Sequence, residues 1–170
     1  MNESSKSLLP LVEILISIGI FAIAVVLTLQ LFLLSSFLGH KTADTARAIF
    51  EVQNIAENIK SIKTEAEMED YIKTDLNGGI IEEFDDNMNM YYSVYYDGGW
   101  NVTGSPDDAA YHLRIDMSRV TYSSGNLYNF VLELYKTDAY PFIDDKKVEQ
   151  NENYIPMLVS IDASKFIIKK

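Results

Sequence analysis

Between Ile14 and Leu38 the chain reads ILISIGIFAIAVVLTLQLFLLSSFL, 25 residues without a single charge. A helix over that run would extend roughly 37 Å, more than the ~30 Å hydrocarbon core of a bilayer. Gln30 is its only strongly polar member, and the hydroxyls of Ser17, Thr28, Ser35 and Ser36 can bond back to the helix backbone. A cleaved secretory signal has a hydrophobic region of about 7–15 residues and a small-residue cleavage site. This run is longer, and the residues that follow Phe37, Leu38-Gly39-His40, offer no such site. A helix apolar on every side also has no place in a domain of this size. The run therefore reads as a transmembrane helix.

Average composition conceals it. Mean hydropathy is −0.02, net charge −11 and pI about 4.5, values typical of a small soluble acidic protein. However, 13 of the 14 basic and 23 of the 25 acidic side chains follow residue 40. The roughly 130 residues there suffice for a modest core without crosslinks. With no cysteine the chain has no disulfide, thiolate zinc site or cysteine nucleophile. Lysines and arginines are not clustered, so direct nucleic-acid binding is not expected. Lys6 on one flank of the run and Lys41 and Arg47 on the other are too evenly balanced for loop charge to fix its orientation.

Glu13 stands at the front edge of the run, in Leu8-Leu9-Pro10-Leu11-Val12-Glu13-Ile14-Leu15-Ile16. A carboxylate costs about 2.5–3.5 kcal/mol at a bilayer centre and less near its edge. Glu13 either marks the membrane boundary and reaches water, or awaits a positive partner in an assembly.

A polar segment with a basic residue, a few apolar residues, a glutamate and then some twenty apolar residues resembles the type IV pilin-like family. That family includes pilins, minor pilins and the pseudopilins of type II secretion and DNA-uptake machines. The resemblance implies a leader-like segment over 1–8 containing Lys6, a cleavage junction between Leu8 and Leu9, and a hydrophobic stem over 9–40. It further implies that Glu13 neutralises the new N-terminal amine of a neighbouring subunit. Leu8 departs from the pattern, because the family's prepilin peptidase takes glycine or another small residue there, and Pro10 is unusual in its position. The junction is then either a variant site or remains uncut.

Beyond the stem, Ile49, Val52, Ile55, Ala56, Ile59 and Ile62 recur at helical spacing, while Asp44, Arg47, Glu51, Glu57, Lys60 and Lys63 occupy other faces. A helix from about Leu11 to Lys63 would run roughly 80 Å. Thr64-Glu65-Ala66-Glu67 has the form of a capping box opening a short helix over 65–73, stopped at Asn77-Gly78-Gly79. Strand-like alternation follows at Met90–Tyr96, Trp100–Thr103, Tyr111–Tyr122, Leu127–Lys136 and Ile155–Ile161, with Asp97-Gly98-Gly99 as a hairpin turn. The expected organisation is an α+β domain over 41–170, with the helix continuing over 41–63 and an antiparallel sheet over 88–168.

Catalytic chemistry finds little footing. His40 and His112 are the only histidines, and no phosphate loop or nucleophile elbow is present. The acidic pairs Asp85-Asp86, Asp107-Asp108 and Asp144-Asp145 lack EF-hand spacing and read as solvated loop acids. Of the eleven tyrosines, about half are expected in the core and the rest on the sheet surface. The expectation is a non-enzymatic structural subunit, a minor pilin or pseudopilin of a type IV pilus or type II secretion-like filament, without cofactor or metal. Its partners would be the membrane, other pilin or pseudopilin subunits through the N-terminal helix, and a prepilin peptidase. Its N-terminus would be cytoplasmic and its C-terminal domain extracytoplasmic. The alternative is an uncleaved single-pass anchor carrying an extracytoplasmic interaction domain outside any filament.

Overall fold

The uncharged run is helical throughout. The computed structural model describes residues 3–76, 80–84, 90–151 and 153–168. The chain divides into two compact units, Met1–His40 and Lys41–Lys170.

In the first unit everything described belongs to one helix, α1, which spans Glu3–Ser61 and extends into the second unit. It starts before the expected Leu11 and runs through Pro10, which has no N–H to give the preceding turn. Ser17 Oγ donates to the Glu13 carbonyl and Thr28 Oγ1 to that of Ala24, both at 2.8 Å. Both hydroxyls thus satisfy themselves within the helix, as an apolar surrounding requires. The most apolar 18-residue stretch has a mean hydropathy of 2.6, and none of it is buried. By length and composition this helix can cross a membrane.

In the second unit α1 presents Ala48, Val52, Ile55, Ala56 and Ile59 to the core, joined by Ile62 just past its end. Ile49, expected in that stripe, is 38% exposed, because one residue turns the side chain by about 100° and Ala48 takes the inward position. Thr64 caps α2 (Glu65–Asp70): its hydroxyl accepts from Glu67 N, and Glu67 Oε2 accepts from Lys63 N at 2.9 Å. The second helix is therefore shorter than 65–73. Tyr71–Asp75 forms a π-helical turn, closed by Leu76 N donating to the Tyr71 carbonyl. The wider turn keeps Met68, Ile72 and Leu76, four residues apart, on one buried side. The expected stop at Asn77-Gly78-Gly79 lies outside the described residues.

The sheet comprises β1 (Ile80–Phe84), β2 (Met90–Tyr96), β3 (Val102–Thr103), β4 (Tyr111–Tyr122), β5 (Gly125–Lys136) and β6 (Met157–Ile168), paired antiparallel in the order β1-β2-β4-β5-β6. The short β3 pairs with β2. The α+β class with an antiparallel sheet is thus as expected. β4 and β5 pair without a break from Tyr111↔Lys136 to Tyr122↔Gly125, placing Leu113, Ile115 and Met117 beside Leu134, Leu132 and Phe130 on the inward face. Each such side chain contributes about 1.5–3 kcal/mol of transfer free energy on burial.

Several strands differ from expectation. β1 was not anticipated, since Ile80-Ile81-Glu82-Glu83-Phe84 does not alternate, and its pairing shifts register between Ile81 and Phe84. β6 begins after Pro156 and continues to Ile168, burying Ala163 and Ile167, while Ile155 precedes it and is exposed. Trp100 stands outside β3 with a left-handed φ of 65°. A further helix, α3 (Asp145–Gln150), occupies the β5–β6 connection.

Candidate functional site

The residues singled out for assembly all lie on α1. Leu8 and Leu9 have helical backbone, and their side chains fall outside the described set. Glu13 is exposed, and its carboxylate has neither ion-pair nor hydrogen-bond partner among the described residues. Around and after it the helix surface is lipid-like on all sides: Leu11, Ile14, Leu15, Phe21 and Phe32 each expose more than half of their area. A single carboxylate at the end of such a surface is an acceptor without a donor. It can bind a cation or reach water, and among the described residues of its own helix none competes for it.

The comparisons with known proteins add no further constraint. The chain matches no protein-family model, no curated protein and no solved structure.

A second constellation was not legible in the sequence. Asp44, expected on a helix face other than the apolar stripe, accepts from Tyr111 OH at 2.8 Å and, through its other oxygen, from Tyr140 OH at 2.6 Å and Lys136 Nζ at 3.1 Å. Burial pushes the Asp44 carboxyl up, but the hydrogen bonds of Tyr140, Tyr111 and Lys136 together outweigh it and hold the pKa below the usual carboxylate value. Conversely, burial and then the bond to Asp44 drive both tyrosines above the ordinary phenol range. They remain neutral donors at any physiological pH.

One turn earlier, Lys41 Nζ reaches Asp144 Oδ1 at 3.2 Å. Asp144 is 1% exposed, which corrects its reading as a solvated loop acid: Lys41 and the Tyr140 backbone N–H, at 3.3 Å, satisfy it inside the fold. The Lys136 ammonium also lies 4.9 Å and 5.0 Å from the ring centres of Tyr111 and Tyr140. The result ties the first turns of the unit's helix to β4, β5 and the loop after β5. It is a structural tie, because its acid is ionised and its phenols are neutral, leaving no group poised to exchange protons near pH 7. Asp85 and Asp86 lie outside the described residues, while Asp107 and Asp108 sit exposed in a short 3-10 turn.

His40 is exposed, and His112 is part of the outward sheet face, stacked on Tyr95 at 4.7 Å with Nε2 3.0 Å from Ser93 Oγ. Among the described residues no three histidine or carboxylate groups converge to hold a metal ion. Five tyrosines (Tyr92, Tyr96, Tyr111, Tyr128 and Tyr140) are buried, close to the expected half.

The hairpin turn expected at Asp97-Gly98-Gly99 is made, and its side-chain bonds set the conformation of Trp100. Asp97 Oδ1 accepts from the backbone N–H groups of Gly99 at 2.8 Å and Asn101 at 2.9 Å, fixing a tight hairpin around Gly98 and Gly99. That turn holds Trp100 in its left-handed conformation, at a cost of about 1–2 kcal/mol for a residue with a side chain. Stacking of Trp100 on Tyr111, with ring centres 4.0 Å apart, offsets part of it.

Proposed function

We propose that this chain is a structural subunit of the minor pilin or pseudopilin kind, held in the cytoplasmic membrane by α1 and incorporated through it into a type IV pilus or type II secretion-like filament. The observation that carries this reading is Glu13, an unpartnered carboxylate at the front of a long, exposed, uncharged helix surface. An ammonium and a carboxylate at ~4 Å attract strongly where water is scarce, and an unpaired one there is costly. A neighbour's N-terminal amine is a partner of the required charge, and stems packed side by side would cover the apolar surface. The second unit, whose core is closed by its own stretch of α1, is then free to stand outside the membrane as an acidic head. The role is assembly, without catalysis.

Leu8 supports a second reading, in which the chain stays uncut and serves as a single-pass anchor for an extracytoplasmic interaction domain. One experiment separates the two. The protein is produced in a host with a prepilin peptidase, and its N-terminal sequence is determined beside that of Glu13→Ala. The filament reading expects a start at Leu9, with Glu13→Ala still membrane-inserted but lost from the sheared filament fraction. A start at Met1, with the variant distributed as the wild type, replaces it with the anchor reading.

A further inference from the structure

The second unit contains a cleft of about 620 Å³ between the last turns of α1, the α2–π turn and the β2–β3 edge. Among the described residues its charged wall has one sign: Glu51, Glu67 and Asp70 line it beside the neutral Asn54, Asn58 and Ser61, and no lysine, arginine or histidine with a described side chain does. Each of these carboxylates is already fixed through one oxygen: Glu51 by Arg47 at 2.6 Å, Glu67 by the Lys63 backbone N–H and Asp70 by Thr74 Oγ1 at 3.1 Å. Among the described residues Glu51 and Asp70 are positioned acceptors with one oxygen each to spare, while Glu67 is further engaged by Thr64.

A different kind of group points to a ligand. Tyr96 is 5% exposed and lines the cleft, yet its hydroxyl has no hydrogen-bond partner among the described residues. The ring is buried while the oxygen, free of any described partner beside the cavity, is open to an incoming polar atom. Tyr71, Tyr96 and Trp100 give the same wall three aromatic rings, whose faces attract cations.

We propose that this cleft binds a guanidinium or ammonium group, carried either by a small organic cation or by an arginine or lysine side chain of a partner protein. Such a group supplies donors to the spare carboxylate oxygens and the Tyr96 oxygen while its flat or apolar part lies against the rings. A neutral sugar fits the wall less well. It needs donors as well as acceptors, and of the neutral donors on the wall Asn58 Nδ2 and Ser61 Oγ are already committed to Tyr71 OH and the Asn58 carbonyl; one face of Trp100 is also occupied by Tyr111. The net charge of −11 draws cations toward the chain.

The chain has one tryptophan, so its fluorescence reports on this cleft alone. The full chain in non-ionic detergent is titrated with agmatine, with the capped peptide acetyl-Gly-Arg-Gly-amide and with methyl β-glucoside, and heats of mixing are recorded in parallel. Saturable binding of agmatine, of the peptide or of both supports the site. Agmatine alone identifies a free cation as the source, and the peptide alone a partner's side chain. The double variant Glu51→Gln, Asp70→Asn should weaken that binding by about tenfold or more, and Tyr96→Phe by about threefold, with melting unchanged. Three results overturn the proposal: neither cation binding by fluorescence or heat, the double variant binding as the wild type does, and the glucoside saturating the cleft while the cations do not.

Discussion

Two stretches of one helix are made of the same side chains and end in opposite environments. From Ile14 to Leu38 α1 is apolar on every side, and Phe21 and Phe32 expose 71% and 72% of their area. From Ala48 onward it is apolar on one side only, and Val52 and Ile59 expose 0% and 1%. The chain's own sheet covers the second stretch. The first is exposed along its length and can leave water only by entering lipid or packing against other helices. Periodicity, more than hydrophobicity, distinguishes a helix that completes its own domain from one that needs surroundings.

The strongest way to break this comparison is the same substitution in both stretches. Ile59→Ala opens a cavity where α1 meets the sheet and should destabilise the second unit by about 2–5 kcal/mol. Ile20→Ala removes the same atoms from a side chain that is 64% exposed, so melting of the second unit in detergent should move by less than about 0.5 kcal/mol. Equal losses at the two sites would mean that the stem carries part of the domain's stability.

A smaller effect sharpens the boundary between the stretches. Asp44→Ala deprives Tyr111, Tyr140 and Lys136 of their common acceptor and should cost about 2 kcal/mol, read as a lower melting temperature at neutral pH. The cost should depend on pH with a definite sign. Because the folded pKa of Asp44 lies below its unfolded value, its stabilisation is complete above about pH 5 and is lost as pH falls through the folded value. The melting curves of wild type and variant should therefore converge below about pH 4. A gap of constant size down to pH 2 would assign the loss to packing instead of charge.

The same comparison shows why the sequence was readable in some places and opaque in others. A pattern is legible when a segment's partner lies a fixed spacing away within the segment itself. The uncharged run, the stripe of Val52, Ile55, Ala56 and Ile59, and the alternation of β4 and β5 are of that kind, as is Glu13, which breaks a run. Asp144 reads as a solvated loop acid and the role of Asp44 is hidden because their partners lie 67, 92, 96 and 103 positions away, and only the fold makes an acid in TADTARA a half-buried acceptor. The cleft was hidden for the same reason. Glu51, Asp70 and Tyr96 come from three elements, and only the unusual π turn and the left-handed Trp100 bring its walls together.

The mildest test falls where the second stretch of α1 ends. Thr64 and Glu67 were recognisable from spacing alone: Thr64 Oγ1 accepts from Glu67 N, and Glu67 Oε2 accepts from the N–H of Lys63, just before the cap. The motif's energetic contribution should accordingly be local. Thr64→Ala leaves the Glu67 N–H without its acceptor and should cost about 1 kcal/mol. The loss should appear first as faster amide exchange over α2 and the following π turn, with the β4–β5 pairing still protected. A loss confined to α2 means that the core under Met68, Ile72 and Leu76 holds the segment by packing. A loss that spreads to β4 and β5 would instead make the cap part of the domain's cooperative unit. It would also tie the acidic wall of the cleft, through Glu67, to the stability of the whole sheet.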